Sequence, residues 1–384
     1  MFASFLRAWR ASRQFHKQLP ARREIVFYAE SESYWPYLGP IMEYLAADLG
    51  RPLSYLTSSE TDPRLRAPLD NTESFFVGDG TVRTALFAAL QANLLVTTMP
   101  GIGTSYIRRS QYPVHYVHLP HNMTSTHMVF PKHAFNGFDT LFCTGPHQIA
   151  EHRKAETLYN LPPRQLIAGG YVRFDDYVRR REAWTGKLSD DRIQVLIAPS
   201  WTPGGLITNG CAELIEALHI TGIRVVLRPH RDSIRHDAAA LAALGSRFDA
   251  HPDFSWANEM PGDTALLNSH ILITDWSGSA FSFTYAFERP VLFIDLPAKV
   301  NNPDFREFAI TPVESRLRND VGKVISPADF HMAGDAVTAL WKDREIYRRR
   351  IIETRPQVLS RSGDAVAFAA ETIAGIAAHG PMIK

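Results

Sequence analysis

Along the chain, short unbroken runs of apolar residues alternate with longer stretches in which apolar positions recur every three or four residues. Runs of about four to eight residues rich in Val, Ile, Leu and Phe read as strands buried on both faces, and the stretches between them read as amphipathic helices. That alternation predicts parallel sheets covered by helices. The predicted strands of a first unit are Glu24–Ala29, Leu53–Thr57, Ser74–Val77, Asn93–Thr97, Val114–His118, Thr140–Cys143 and Gln165–Ala168, with helices over Tyr37–Leu49, Thr81–Gln91 and Pro146–Thr157.

From Phe174 to Asp191 the pattern gives way to charged sequence, Asp175-Asp176-Tyr177-Val178-Arg179-Arg180-Arg181, and a domain boundary is expected there. A second alternation follows, with strands at Gln194–Ala198, Arg224–Leu227, Ile271–Thr274 and Val291–Asp295 and helices at Cys211–Ile220, Asp237–Leu244, Asp263–Asn268 and Phe281–Phe287. From Pro327 onward the chain reads as helical, including Arg344–Thr354 and Asp364–Ala378. The expected fold is α/β: two doubly wound Rossmann-like domains facing a cleft, over residues 24–180 and 190–360, with a C-terminal helix in 361–384 that crosses back. A length of 384 residues agrees with two cores.

The 23 residues ahead of the first strand behave differently. Phe2, Phe5, Leu6 and Trp9 recur at helical spacing, with Arg7, Arg10, Arg13 and Lys17 assigned to the other face. This predicts an amphipathic basic helix suited either to an anionic membrane surface or to packing on its own domain. The segment lacks the continuous apolar core and small-residue cleavage site of a secretory signal. Charge sharpens the contrast. The chain has 41 basic and 40 acidic side chains, a net +1, but residues 1–23 hold six cations and no acid, leaving the rest at −5.

Such a body does not suit wrapping nucleic acid, and no apolar run approaches the roughly 18 residues of a membrane span. Cys143 and Cys211 lack metal-ligand or disulfide-framework spacing.

Ligands of open parallel sheets sit beyond the carboxyl ends of the strands, so the chemistry is sought in those loops. Ile271-Leu272-Ile273-Thr274 runs into Asp275-Trp276-Ser277-Gly278-Ser279, a turn that offers free N–H groups, a helix dipole and two hydroxyls to a phosphate; its plainer reading is an ordinary capped turn. Val225-Val226-Leu227 ends in Arg228-Pro229-His230, where Arg228 or His230 can bond phosphate oxygens and the imidazole can protonate a leaving phosphate. Ser200, Trp201 and Thr202, in the loop after the first strand of the second unit, are candidates for closing over a nucleotide.

In the first unit His115, His118 and His121 are three apart, which on a strand separates their faces, and Pro120 forbids a helix that would gather them. No metal site is therefore expected. His121, just past the strand, is the candidate general base, with His118 as its rival. Gly101-Ile102-Gly103 lacks the remainder of a dinucleotide fingerprint. Asp175-Asp176, among arginines, suits salt bridging.

Four stretches carry a family resemblance. Val195-Leu196-Ile197-Ala198-Pro199-Ser200-Trp201, Leu227-Arg228-Pro229-His230, Leu272-Ile273-Thr274-Asp275-Trp276-Ser277-Gly278-Ser279 with Arg289-Pro290-Val291-Leu292-Phe293, and Gly170-Tyr171-Val172-Arg173-Phe174-Asp175 resemble segments of the CDP-glycerol glycerophosphotransferases, the teichoic-acid primases and polymerases of GT-B-like fold. Pro120-His121-Asn122-Met123-Thr124 stands where that family has Trp-His-Gly-Thr, keeping the His and not the Trp or Gly.

The resemblance implies an acceptor-side first domain and a donor-binding second domain. CDP-glycerol would lie on Arg228, Ser277, Gly278, Ser279 and His230, with His121 taking the proton of a membrane-linked polyol-phosphate or glycan acceptor as CMP leaves. It implies no cofactor and no metal, and a cytoplasmic enzyme peripheral on the inner face of the membrane. Two alternatives stand beside it: a GT-B glycosyltransferase or epimerase using a UDP-sugar, and a non-catalytic membrane-attached assembly protein.

Overall fold

Strand β1 (Ile25–Ala29) is Ile-Val-Phe-Tyr-Ala and is buried at every position, because both of its faces are covered and both of its edges are paired. It lies near the middle of a seven-stranded sheet completed by β2 (Leu53–Thr57), β3 (Thr72–Phe76), β4 (Leu94–Thr97), β5 (His115–His118), β6 (Thr140–Cys143) and β7 (Gln165–Ala168), in the order β3-β2-β1-β4-β5-β6-β7. A second, six-stranded sheet comprises β8 (Gln194–Ile197), β9 (Arg224–Leu227), β10 (Phe254–Trp256), β11 (Ile271–Thr274), β12 (Val291–Ile294) and β13 (Gly322–Ile325), in the order β10-β9-β8-β11-β12-β13. All pairings are parallel. This computed structural model describes residues 2–104, 107–189, 191–260 and 263–380.

The chain is thus α/β with two Rossmann-like domains. Strand order reverses between β1 and β4 in the first sheet and between β8 and β11 in the second, and each reversal opens a crevice at the carboxyl ends of the strands. Strands β10 and β13 escape the sequence pattern for a physical reason. Each is a short edge strand interrupted by a polar residue, Ser255 in one and Lys323 in the other, so neither forms a continuous apolar run.

The charged stretch after Phe174 is helical rather than irregular. Helix Val172–Ala183 buries Phe174 and packs along helix Ser279–Phe287 of the second domain. Asp176 is ringed by Arg173, Arg179 and Arg180, and Asp175 accepts from the Gly363 and Ala365 N–H groups at 2.7 and 2.9 Å. The chain therefore passes between the domains twice. On its return, helix Ala365–Ala378 packs Ala369, Ala370, Ile373 and Ala377 into the first domain's core beside Leu38 and Ile41. The return is close. A Cβ on Gly145 would collide with the Val358 backbone, and Gly170, at φ 71°, has the Arg361 carbonyl oxygen 2.6 Å from where its Cβ would stand.

Helix Phe2–Lys17 packs against β3 and helix Thr81–Ala88, but not through the face read from its aromatic residues. Ala8 and Phe15 are buried, and Phe15 alone is worth about 1.5–3 kcal/mol. Phe2, Phe5 and Trp9 remain 75%, 45% and 44% exposed. Arg13 lies over the Trp9 ring, 4.9 Å from its centroid, rather than on an opposite face. No described helix is long and apolar enough to cross a membrane.

Candidate functional site in the interdomain cleft

The carboxyl ends of the two sheets face each other. The loop that follows β5 carries His121, Asn122 and Thr124 onto the turn after β11. A Cβ added to Gly278 would stand 3.4 Å from Asn122 Cβ and 3.7 Å from Thr124 Cγ2. Gly278 has φ −59°, and a Cβ there would make ordinary van der Waals contact with the first-domain loop. Farther along the cleft, Arg231 of the second domain donates to Ser31 Oγ and Ser33 Oγ of the first at 2.9 and 2.8 Å.

His121 is partly buried. Its Nδ1 lies 3.2 Å from the Thr98 carbonyl, which can only accept, so Nδ1 carries the proton and Nε2 keeps its lone pair. Burial pushes its pKa down to about 4, leaving the imidazole neutral at physiological pH. Tyr34 and Tyr37 meet the ring edge-on at 5.6 and 6.2 Å, and Tyr171 donates to the His121 carbonyl at 2.9 Å. His118 is placed otherwise. It is 4% exposed, sandwiched edge-on by Phe135 and Phe138, and burial lowers its pKa to about 3. His115 bonds Thr140 Oγ1 at 2.8 Å within the sheet.

In the second domain, Asp275 Oδ1 accepts the Ser200 and Trp276 N–H groups, each at 2.7 Å, and so joins the two lips of the β8/β11 crevice. Ser277 Oγ accepts the Ser279 N–H at 3.3 Å, so part of the presumed cradle caps its own turn. Arg228 Nη2 donates to Ser279 Oγ at 3.2 Å. His230 is also a cap: its Nδ1 accepts the Asp232 N–H at 3.1 Å at the start of helix Arg231–His236. Burial lowers its pKa, against the pull of Asp232.

Trp201 lies against His236, ring centroids 5.1 Å apart. Ser200 Oγ, Trp201 Nε1 and Ser233 Oγ are all buried without a hydrogen-bond partner among the described residues. These three atoms are enclosed by the protein itself.

Two cations that border the crevice are not marked by the sequence motifs. Lys299, beyond β12, is half-buried, and burial lowers its pKa against the opposing fields of Asp232 and Asp275. It stands on a strap pinned to the first domain, where the Asn301 and Asn302 N–H groups reach the Met128 carbonyl at 3.0 and 3.3 Å and the Asn302 amide reaches the His127 carbonyl at 2.9 Å. No local motif marks Lys299, because its position depends on that strap. Arg231 follows His230 in sequence, and its reach across to Ser31 and Ser33 depends on the fold. Among the described residues no cluster of His, Cys, Asp or Glu has metal-holding geometry.

Two parallel Rossmann-like domains whose switch points open on one cleft define the GT-B architecture. No known family matches the sequence, and no curated protein matches it either. Solved structures do match in fold. The wall teichoic acid polymerase TagF, in a structure with CDPG, aligns with a TM-score of 0.61 at 15% identity, over 97% of this chain and 94% of that one. A putative UDP-N-acetylglucosamine 2-epimerase from Listeria monocytogenes gives 0.60 at 12% identity, over 93% and 96%. The UDP-GlcNAc 2-epimerase of Neisseria meningitidis bound to UDP-GlcNAc gives 0.60 at 11%, over 92% and 100%. Identities this low speak to the fold.

Proposed function

We propose that the protein is a transferase moving glycerol phosphate from CDP-glycerol to the hydroxyl of a membrane-linked polyol-phosphate or glycan acceptor, releasing CMP, in the synthesis of a cell-envelope polymer. The observation that carries this reading is the closure of the His121 loop, its Nε2 lone pair free, on the Ser277-Gly278-Ser279 turn that Arg228 contacts. The resemblance in Arg228-Pro229-His230 and the TagF likeness support the choice of donor.

In this mechanism the donor pyrophosphate rests on Arg228, Lys299 and the turn, and the nucleoside lies under the Ser200-Trp201-Thr202 loop. The acceptor oxygen attacks the β-phosphorus, and its proton passes to His121 Nε2. The bond between that phosphorus and the bridging oxygen breaks, and CMP departs with His230 beside its phosphate. Preorganised cations and N–H groups around the phosphoryl group supply the main stabilisation. The enzyme works as a peripheral protein on the inner face of the membrane, a placement supported by the exposed Phe2, Phe5 and Trp9 beside Arg10 and Arg13.

A UDP-sugar transferase or epimerase is the second reading, favoured by the equally good fit of the two epimerases. One assay separates them. Purified protein given CDP-glycerol and soluble glycerol-phosphate acceptors is expected to release CMP. Absence of CMP with every acceptor overturns the leading reading, and UDP released from UDP-GlcNAc promotes the second.

A further inference from the structure

His127 is buried where the strap from the second domain closes on the first, and it touches that strap at both ends. Its carbonyl accepts the Asn302 amide at 2.9 Å, and its Nε2 lies 3.1 Å from the Ile310 carbonyl. Between those two points Phe305 and Phe308 flank the ring, their centroids 6.3 and 5.0 Å away. Lys299 rides on the same strap, just ahead of Asn301 and Asn302, whose N–H groups reach the Met128 carbonyl. One side chain therefore clasps the segment that carries a cation of the donor crevice.

The neighbours of the ring fix its charge. A carbonyl only accepts, so Nε2 carries a proton. Nδ1 stands 3.2 Å from Glu151 Oε1, off the line of a hydrogen bond, and among the described residues neither atom has another polar partner. Glu151 Oε2 is already taken by the Thr126 N–H and hydroxyl. A bare lone pair on Nδ1 would face a buried carboxylate, whereas a proton there answers both atoms. The ring is an imidazolium. Burial opposes this charge, but Glu151, the Ile310 carbonyl and Glu314 outweigh it, and the His127 pKa is raised. The other charged groups on the elements packed around it are engaged elsewhere: Lys132 with Asp304, Arg153 and Arg164 with Glu156, Arg306 with the Phe305 ring, and Arg316 with Gln357. His147 is held by the Met123 carbonyl, and His152, against Phe135, is kept neutral by burial.

We propose that His127, as an imidazolium, is the positioning residue that seats the strap on the first domain, and that loss of its Nδ1 proton at alkaline pH loosens the strap and Lys299 with it. Without that proton the Nδ1 lone pair stands against the Glu151 carboxylate, the ring leaves its seat, and the hold of Nε2 on the Ile310 carbonyl weakens. The sign is set by the direction of the shift. A histidine pKa raised by folding contributes in full below about 6.5, and the contribution is lost as pH rises through the folded value. The inference goes beyond the transferase reading and does not depend on it.

The test uses the full chain with its histidine rings labelled with nitrogen-15, the His127 signals being assigned by their absence from His127→Gln. In the wild type both ring nitrogens of His127 are expected to hold protons at neutral pH, with a titration midpoint above the ordinary value of about 6.5. Hydrogen exchange at the Asn301 and Asn302 N–H groups, corrected for base catalysis, is expected to stay level below that midpoint and to quicken by about tenfold or more above it, the scale of one lost bond to a charged group. In His127→Gln the exchange is expected to be fast on both sides of it. Glu151→Gln, which removes the counter-charge and leaves the ring in place, is expected to bring the midpoint down. A wild-type midpoint at or below about 6.5, or strap exchange that ignores the midpoint, overturns the assignment. In the CMP-release assay, KM for CDP-glycerol is expected to climb with the same midpoint. Lys299 also titrates on that side, so His127→Gln serves as the control: this limb disappears there if the strap causes it, and its persistence overturns the link to Lys299. Should no CMP be released, the transferase reading fails, while the nitrogen and exchange titrations still decide the role of His127.

Discussion

Ser125 Oγ donates to Glu314 Oε1 at 2.6 Å, and the Ser125 N–H donates to Glu314 Oε2 at 2.9 Å, joining the two domains through a pair that is buried on both sides. Next to it, Glu151 accepts the Thr126 N–H at 2.5 Å and its hydroxyl at 2.7 Å. Two carboxylates thus hold consecutive residues of the loop that begins at His121. Burial raises the Glu314 pKa while the Ser125 bonds oppose it, so removing the hydroxyl leaves a poorly satisfied buried acid. Ser125→Ala is expected to cost about 1.5–3 kcal/mol, the range for a hydrogen bond to a charged group, and to lower the melting temperature. An unchanged melting curve would show that the hydroxyl bond contributes nothing to stability.

His121→Ala is expected to lower kcat by about 10²–10⁴-fold, the usual contribution of a general base, with CDP-glycerol affinity retained. The pH dependence follows from the same burial. Because the pKa is lowered to about 4, the neutral, proton-accepting form persists from neutral pH down to that value, and activity falls only as pH drops through it. A pH–rate profile for kcat/KM with its acid limb near 6.5 would remove His121 from the role.

Lys299→Ala tests the cation that sequence motifs do not reveal. KM for the donor is expected to rise about tenfold to a hundredfold, matching one charge-assisted bond to phosphate, while KM for the acceptor stays within twofold. An unchanged donor KM would place Lys299 outside the phosphate site.

Gly278→Leu probes the domain contact itself. Asn122 Cβ is in van der Waals range, 3.4 Å, of the place of a Cβ, so the branched end of a leucine is expected to press on the His121 loop. The variant is expected to stay folded, to show a larger radius of gyration in small-angle scattering, and to lose at least a hundredfold in kcat, as misplacement of a reacting group by about 1 Å does. Full activity in this variant would mean that the approach of the two loops is not part of the working geometry.

Phe2, Phe5 and Trp9 supply a separate test. Since Phe15 is in the core, deleting the helix would confuse docking with folding, whereas Phe5→Ser and Trp9→Ser change only exposed positions. The double variant is expected to leave the pellet when sedimented with vesicles containing phosphatidylglycerol, and the wild type is expected to stay with them at low salt and release at high salt. Equal sedimentation of the two proteins would assign the helix a packing role alone.

Much of the fold is legible in the sequence because buried parallel strands leave continuous apolar runs: β2, β6, β7, β9 and β11 coincide with the predicted spans to the residue. Edge strands β10 and β13 do not announce themselves, since an edge tolerates Ser255 and Lys323. The N-terminal helix shows a related limit. Periodicity identified the helix, but its large aromatics were not the residues chosen for burial, because the space over β3 admits Ala8 and Phe15. Candidate site residues at strand ends, such as His121 and Arg228, follow from topology. The surroundings of Arg231 and Lys299 are set only when distant segments are brought together across the cleft.

The two crossings between the domains have a mechanical consequence. A single tether would let the domains swivel and tilt in several directions, but two tethers fastened to each other, as Asp175 fastens the returning segment at Gly363 and Ala365, leave one easy rotation about the line through them. Sliding and twist of one domain on the other are resisted along that line, and across the cleft the Ser125–Glu314 and Asn302–His127 bonds restrain the rotation that remains.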